Sequence, residues 1–202
     1  VTCDSYLDLL PNFFTLYKRY SNLAEPLVIG ETKSLEGYNI LTAGHKPWGE
    51  RIYDSLKKIK TEYILFTLDD YYFTTYVDGY IQEALKILKL KDFDKVALIS
   101  NSHFWGYKLA HTDIPNFYQM LPNCNNLATL QLSIWKKDSF EKVLDPSYSP
   151  WDFEIKGRDV LTDSKCGILD PHKELVFNFA RKGKILSAGW QNFLNKENLT
   201  YK

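Results

Sequence analysis

Tyr63-Ile64-Leu65-Phe66-Thr67-Leu68-Asp69-Asp70 is the stretch on which the fold turns. Its nearly continuous apolar run predicts a central strand covered on both faces, because a half-exposed strand would alternate. The run stops abruptly at two adjacent acids, so Asp69 and Asp70 mark the carboxyl end of that strand. Ligands of open α/β sheets bind at such ends. Two neighbouring carboxylates that leave water repel one another, and a hard divalent cation, Mn²⁺ or Mg²⁺, relieves both costs. The local alternative is that one Asp caps the following helix while the other is solvated.

Outward from this strand, helix-like and strand-like segments alternate. Val1-Thr2-Cys3 reads as the end of a first strand, and Tyr6, Leu9, Leu10, Phe13, Phe14 and Tyr17 form the stripe of a helix over 6–20. A short strand at 27–30 and a polar loop over 31–47 follow, then a helix marked by Trp48, Ile52, Leu56 and Ile59. Downstream the pattern predicts a helix at about 75–89 and a strand at 96–100. An irregular excursion over 101–127, a strand at 129–135 and a helix at 137–143 come next. Pro146 and Pro150 punctuate a turn before Trp151-Asp152-Phe153-Glu154. The tail reads as a helix fragment over 174–179 and a short strand near Ile185-Leu186. The expectation is an α/β fold with a mostly parallel central sheet flanked by helices. No repeat, low-complexity tract or linker interrupts it, so 1–202 reads as one domain, its N-terminus incomplete because Val1 opens on a strand end.

With 202 residues, 45% hydrophobic and 15% aromatic, the chain can bury one sizeable core. Lys+Arg and Asp+Glu are both 25, and a neutral balance argues against a protein that grips nucleic acid through its phosphates. Cys3, Cys124 and Cys166 are scattered and form no CxxC pair, so neither a zinc knuckle nor a disulfide framework is expected, and a reducing, cytoplasmic compartment suits them. No apolar run approaches the roughly 18 residues that cross a bilayer. GxGxxG, GxxxxGK[ST] and GxSxG are all absent, which removes the anchors of dehydrogenase, P-loop and serine-hydrolase readings.

Tyr63 to Phe73, YILFTLDDYYF, resembles the divalent-metal motif region of GT-A glycosyltransferases, particularly bacterial enzymes of polysaccharide assembly, whose Asp-x-Asp motif has Asp-Asp variants. Three further segments fall in the family's order. Thr2-Cys3-Asp4-Ser5-Tyr6 stands where such enzymes seat nucleobase and ribose. Lys46-Pro47-Trp48-Gly49-Glu50-Arg51 stands where side chains reach the nucleotide. Ser149-Pro150-Trp151-Asp152-Phe153-Glu154 is similar to the late acidic segment whose carboxylate activates the acceptor in inverting members. The likeness spans about residues 1–190.

The resemblance implies a single GT-A (Rossmann-like) domain that moves a hexose-type sugar from a nucleoside-diphosphate donor, a UDP-sugar foremost. The acceptor would be a glycan or a lipid-linked hydroxyl, peripheral to the inner face of a membrane. On the same basis Asp69 and Asp70, with His172 as an extra, hold Mn²⁺ or Mg²⁺. Thr2, Asp4, Tyr6, Trp48, Arg51 and Asp69 meet the donor, Glu154 is the base with Asp152 its rival, and Trp151 and Gln131 meet the acceptor.

Each residue also has a plainer reading. Asp4 would cap the first helix, Trp48 would be core, and Arg51, whose fork suits phosphate, would be solvated. Trp151 and Phe153 would be core with Asp152 and Glu154 facing water. Gln131 would be a half-buried strand residue and His172 a surface one, since His45, His103, His111 and His172 show no HxH or HExxH spacing. Arg181, Lys182 and Lys184 would touch diphosphate or an anionic membrane, or form a solvated turn. Two other functions stay open. One is a non-catalytic nucleotide-sugar or carbohydrate-binding module. The other is a nucleotidyltransferase, which would normally show a Gly-rich basic stretch where this chain has Thr2-Cys3-Asp4.

Overall fold

The computed structural model describes residues 1–100, 106–181, 184–185 and 189–200, without the side chains of 180, 181, 184 and 185. A 3₁₀ turn (Leu7–Leu9) leads into α1 (Leu10–Tyr20), whose Pro11 occupies the first turn, where a missing N–H costs little. Then come β1 (Val28–Gly30), β2 (Ile40–Thr42), α2 (Trp48–Leu56), β3 (Tyr63–Phe66), β4 (Tyr71–Phe73) and α3 (Asp78–Leu90). The second half runs β5 (Lys95–Leu98), β6 (Leu109–His111), β7 (Phe117–Met120), β8 (Ser133–Lys136), α4 (Lys137–Val143) and α5 (Pro150–Val160). It ends with β9 (Cys166–Leu169), β10 (Val176–Asn178), β11 (Ala180–Arg181), β12 (Lys184–Ile185) and α6 (Trp190–Glu197).

A six-stranded sheet in the order β3-β8-β5-β9-β7-β6 organises the chain. Side chains alternate across it as the pleat requires. Val96, Leu98, Ile134 and Leu169 pack against α1 and α3, while Ala97, Trp135 and Ile168 pack against α2, α4 and α5. The fold is α/β, but the sheet is mixed, not mostly parallel. Within it β5 and β9 pair in parallel, whereas β8 is antiparallel to both β3 and β5, and β7 to both β6 and β9. The cause lies in the connection. A parallel neighbour needs a crossover helix, and the chain passes from β5 to β8 through the β6–β7 hairpin instead. In this order β3 is an edge strand of the six, not a central one.

Several local expectations are corrected. Residues 1–3 form no strand, and the stretch read as a polar loop over 31–47 contains β2. The stretch read as irregular contains β6 and β7, closed by a turn in which the Thr112 hydroxyl donates to Phe117 O at 2.7 Å and Asn116 takes φ 60°. Residues 174–179 hold a strand, not a helix fragment: β10 lies antiparallel to β4, and so short an apolar run fits either period. The turn before Trp151 is a helix start. Ser149 and Asp152 close a reciprocal capping box around Pro150, and α5 continues to Val160. The strand expected near Ile185-Leu186 corresponds to β12, with Leu186 outside the described residues.

Val1 and Thr2 stitch the β1–β2 pair to the end of β3. Thr2 N donates to Ile29 O at 2.8 Å, and Asp69 N donates to Val1 O at 3.3 Å. On the far side, α2 packs on the 145–148 turn so closely that a Cβ at Gly49 would lie 2.1 Å from Asp145 O. Gly49 N donates there to Tyr148 O at 2.9 Å. These two junctions bring the chain start, the start of α2 and the approach to α5 around the carboxyl end of β3.

Candidate functional site

A cleft of about 680 Å³ opens at that end. The Val1–Tyr6 segment, the start of α2, the Asp69–Tyr71 turn and the approach to α5 line it, with Leu130 and Glu154 on one side. Of the residues singled out in the sequence, Thr2, Tyr6, Trp48, Arg51, Asp69, Asp70, Trp151 and Glu154 share this cavity. Asp4, Gln131, Asp152 and His172 are not among its lining residues.

Asp69 and Asp70 follow β3 and precede β4, both buried. Asp69 Oδ2 accepts the Thr2 hydroxyl at 2.5 Å. The Asp70 backbone is fixed by Phe179 N, which donates to Asp70 O at 2.7 Å, yet Asp70 Oδ1 is buried with no partner among the described residues. Burial pushes both carboxyls upward. For Asp70 the charge of Asp69 adds to burial, and its pKa rises to about 7. Such a pair fits a hard divalent cation: the oxygens are hard, the neighbouring charges repel, and one oxygen lacks a donor. Among the described residues no cluster of three His, Cys, Asp or Glu forms, so other coordination positions would fall to ligand oxygens and water.

Arg51 is buried in the cleft wall, not solvated. Its Nη1 donates to Thr2 O at 3.0 Å and its Nη2 to Glu31 Oε1 at 3.3 Å, while its Nε is buried and unpaired among the described residues. Glu31 also accepts from Asp4 N at 2.9 Å, so it ties the Thr2–Tyr6 loop to the end of β1. Sequence reasoning missed Glu31; the available signal was an acid immediately after the buried strand Val28–Gly30. Trp48 combines both of its readings, packing edge-on against Phe153 at 5.6 Å while one side meets the cleft. Asp4 neither caps the first helix nor faces the cavity; its carboxylate accepts from Thr32 N and Lys33 N, each at 3.0 Å.

On the α5 side of the cleft the two candidate bases part company. Asp152 accepts from the Ser149 hydroxyl at 2.6 Å and pairs with Lys156 at 2.9 Å. Those partners, Ser149 foremost, hold its carboxyl down at about 2. Glu154, two residues on, turns inward: its Oε1 accepts from Leu130 N at 2.7 Å and from the Thr129 hydroxyl at 3.3 Å. Trp151 stands 60% exposed at the mouth. Tyr71 lies on the floor, its hydroxyl pKa raised by burial and by the charges of Asp70 and Glu154.

The remaining candidates lie elsewhere. Gln131 is half-buried, its carbonyl accepting from Ser133 Oγ at 2.8 Å. His172 is exposed at φ 54°, and its backbone N donates to Asp170 Oδ1 at 2.7 Å. The side chains of Arg181, Lys182 and Lys184 lie outside the described residues. No helix among the described residues is long and apolar enough to cross a membrane.

No protein-family model matches the sequence, and no curated protein sequence matches it. Solved structures do match in three dimensions. S. aureus TarS 1-349 in complex with UDP-GlcNAc aligns with a TM-score of 0.58 at 13% identity, over 93% of this chain and 61% of that one. TarS 1-349 alone aligns at 0.56 and 12%, over 87% and 57%. The present chain therefore spans about three fifths of the TarS structures it matches. CMP:2-keto-3-deoxy-manno-octonic acid synthetase complexed with CTP aligns at 0.50 and 10% identity, over 80% of this chain and 78% of that one. These likenesses show a glycosyltransferase-like α/β fold.

Proposed function

We propose that the chain is the catalytic part of a metal-dependent, GT-A-type glycosyltransferase, moving a sugar from a nucleoside-diphosphate donor to the hydroxyl of a glycan or lipid-linked acceptor. One observation carries the reading: the Asp69–Asp70 pair and the inward-facing Glu154 line one and the same cleft at the strand end. The TarS structure, which holds UDP-GlcNAc, supports a UDP-sugar as the first donor to test.

Asp70, with Asp69 beside it, would hold Mn²⁺ or Mg²⁺, which supplies charge neutralisation at a diphosphate. Thr2, Tyr6, Trp48 and Arg51 form the donor wall. Arg51 acts there by fixing Thr2 O and Glu31, with its unpaired Nε as the remaining donor. Glu154 takes the proton of the incoming hydroxyl, and its fixed Oε1 keeps it oriented toward the cleft. Attack from that side while the nucleotide leaves from the other gives inversion at the anomeric carbon. Asp152 is the poorer base, because its cap and ion pair stabilise its anion. Trp151 presents an aromatic face at the mouth to a sugar ring.

A panel of nucleoside diphosphates, triphosphates and nucleotide sugars with Mn²⁺, read by melting temperature and by donor hydrolysis, tests this. A raised melting point with a sugar nucleotide plus slow hydrolysis is expected, since ligands that favour the native state stabilise it. Stabilisation by a nucleoside triphosphate alone would favour nucleotidyl transfer. Binding with no turnover under any metal would leave a binding module.

A further inference from the structure

Lys95, on β5, has no exposed surface, a rare position for lysine. Its ammonium donates to Leu127 O and to Thr129 O, each at 2.9 Å, and lies 4.6 Å from the centroid of the Trp135 ring. Two carbonyls and one aromatic face thus surround the ammonium. The two carbonyls belong to the segment that holds Glu154. Leu130 N donates to Glu154 Oε1 at 2.7 Å and the Thr129 hydroxyl at 3.3 Å, one and zero residues from the clamped carbonyl of Thr129. Packing alone does not call for a charge here. A methionine would fill similar volume without the cost of burying an ion.

Burial depresses the Lys95 pKa to about 8, and Cys166, Glu154 and Cys124 pull it back upward. Its hydrogen bonds run to the Glu154 side of the cleft, not to Thr2, Arg51, Asp69 or Asp70 on the donor side. Tyr107, buried next to Thr129, completes this polar layer.

We propose that Lys95 is a positioning residue for the base: it clamps the 127–130 segment so that Leu130 N and the Thr129 hydroxyl hold the Glu154 carboxylate toward the acceptor side of the cleft. This rests on the reading of Glu154 as base in the proposed function.

The test is Mn²⁺-dependent hydrolysis of the panel's nucleotide sugars, UDP-GlcNAc first, by the wild type, Lys95→Met, Lys95→Arg and Glu154→Gln. Lys95→Met should lower kcat about tenfold or more. Its KM for the donor and its melting shift with Mn²⁺ and UDP should stay at wild-type values, and Lys95→Arg should recover most of the rate. Lys95→Gln, which keeps a donor without the charge, replaces Lys95→Met if the latter fails to fold. An unchanged kcat overturns the proposal, as does a loss shared by kcat and donor binding that arginine does not recover. If neither charge-free variant folds, Lys95 is a stability residue and the proposal falls. Glu154→Gln separates the two levels. An inactive Glu154→Gln beside a fully active Lys95→Met removes only the clamp, whereas an active Glu154→Gln, or a wild type that turns over no donor, removes the base reading and the clamp with it.

Discussion

Lys95 and Asp70 are both buried ionisable groups, and the molecule treats them in opposite ways. Around Lys95 the ammonium meets two carbonyl acceptors and an aromatic face. Around Asp70 one carboxylate oxygen meets nothing among the described residues, and the neighbouring charge of Asp69 is of the same sign. A buried polar group left unsatisfied costs on the order of 1–3 kcal/mol, more when charged. Such a cost persists in a fold where something offsets it, and in an open cleft the natural candidate is a ligand. The first cluster is satisfied within the described residues, whereas the second leaves one oxygen without a partner there.

The comparison can be broken at several points. Glu154→Gln, at the far end of the Lys95 network, should lower donor turnover about a hundredfold or more while sparing the Mn²⁺-dependent melting shift; steady-state kinetics beside thermal shift reads both. Lys95→Met should lower stability in urea by about 3 kcal/mol, because two buried carbonyls lose their donor. Asp70→Asn should do the reverse in metal-free protein, raising stability at pH 8 by about 2 kcal/mol, since it removes a buried charge that burial and Asp69 disfavour. A destabilised Asp70→Asn would mean that the acid is structural after all.

Acid–base linkage sharpens that contrast. Asp70 has its folded pKa raised to about 7 from the ordinary 3.8, so between those values the folded chain holds more protons than the unfolded one. Its contribution is therefore fully present below about pH 4 and is lost as pH rises through 7. Urea unfolding of metal-free wild type against Asp70→Asn from pH 4 to 8 should show this slope in the first and not in the second. The smallest effect is expected at the helix cap. Asp152→Ala, which removes the N3 half of the capping box, should lower the melting temperature only slightly and leave turnover far above that of Glu154→Gln.

Much of this arrangement was legible in the residues. The apolar run ending in Asp69-Asp70 located a strand and the cleft at its carboxyl end, though not its place at the sheet edge, and the α4 boundaries, Lys137–Val143, were read correctly from the helical pattern. Strand direction was not legible. Alternation tells which face a residue takes but not which way the strand runs, and β8 was turned by a hairpin hidden in a polar stretch. The strand at 176–178 was misread because Val176, Phe177 and Phe179 fit two periods equally. Around the cleft, Arg51, Trp48 and Glu154 were named through the family resemblance, local context alone giving the plainer readings. Glu31 and Leu130 could not be placed, since each reaches the site only through the tertiary pairing of distant segments. Asp4 shows the same limit, its carboxylate being spent on a loop 28 residues away.

Manganese titration followed by electron paramagnetic resonance, with and without UDP, on wild type and Asp70→Asn, tests the central claim most directly. The account predicts that UDP tightens Mn²⁺ binding to the wild type and that Asp70→Asn abolishes the tight phase while remaining folded. Equal binding by both proteins, or no binding by either in the presence of any nucleoside diphosphate, would contradict it.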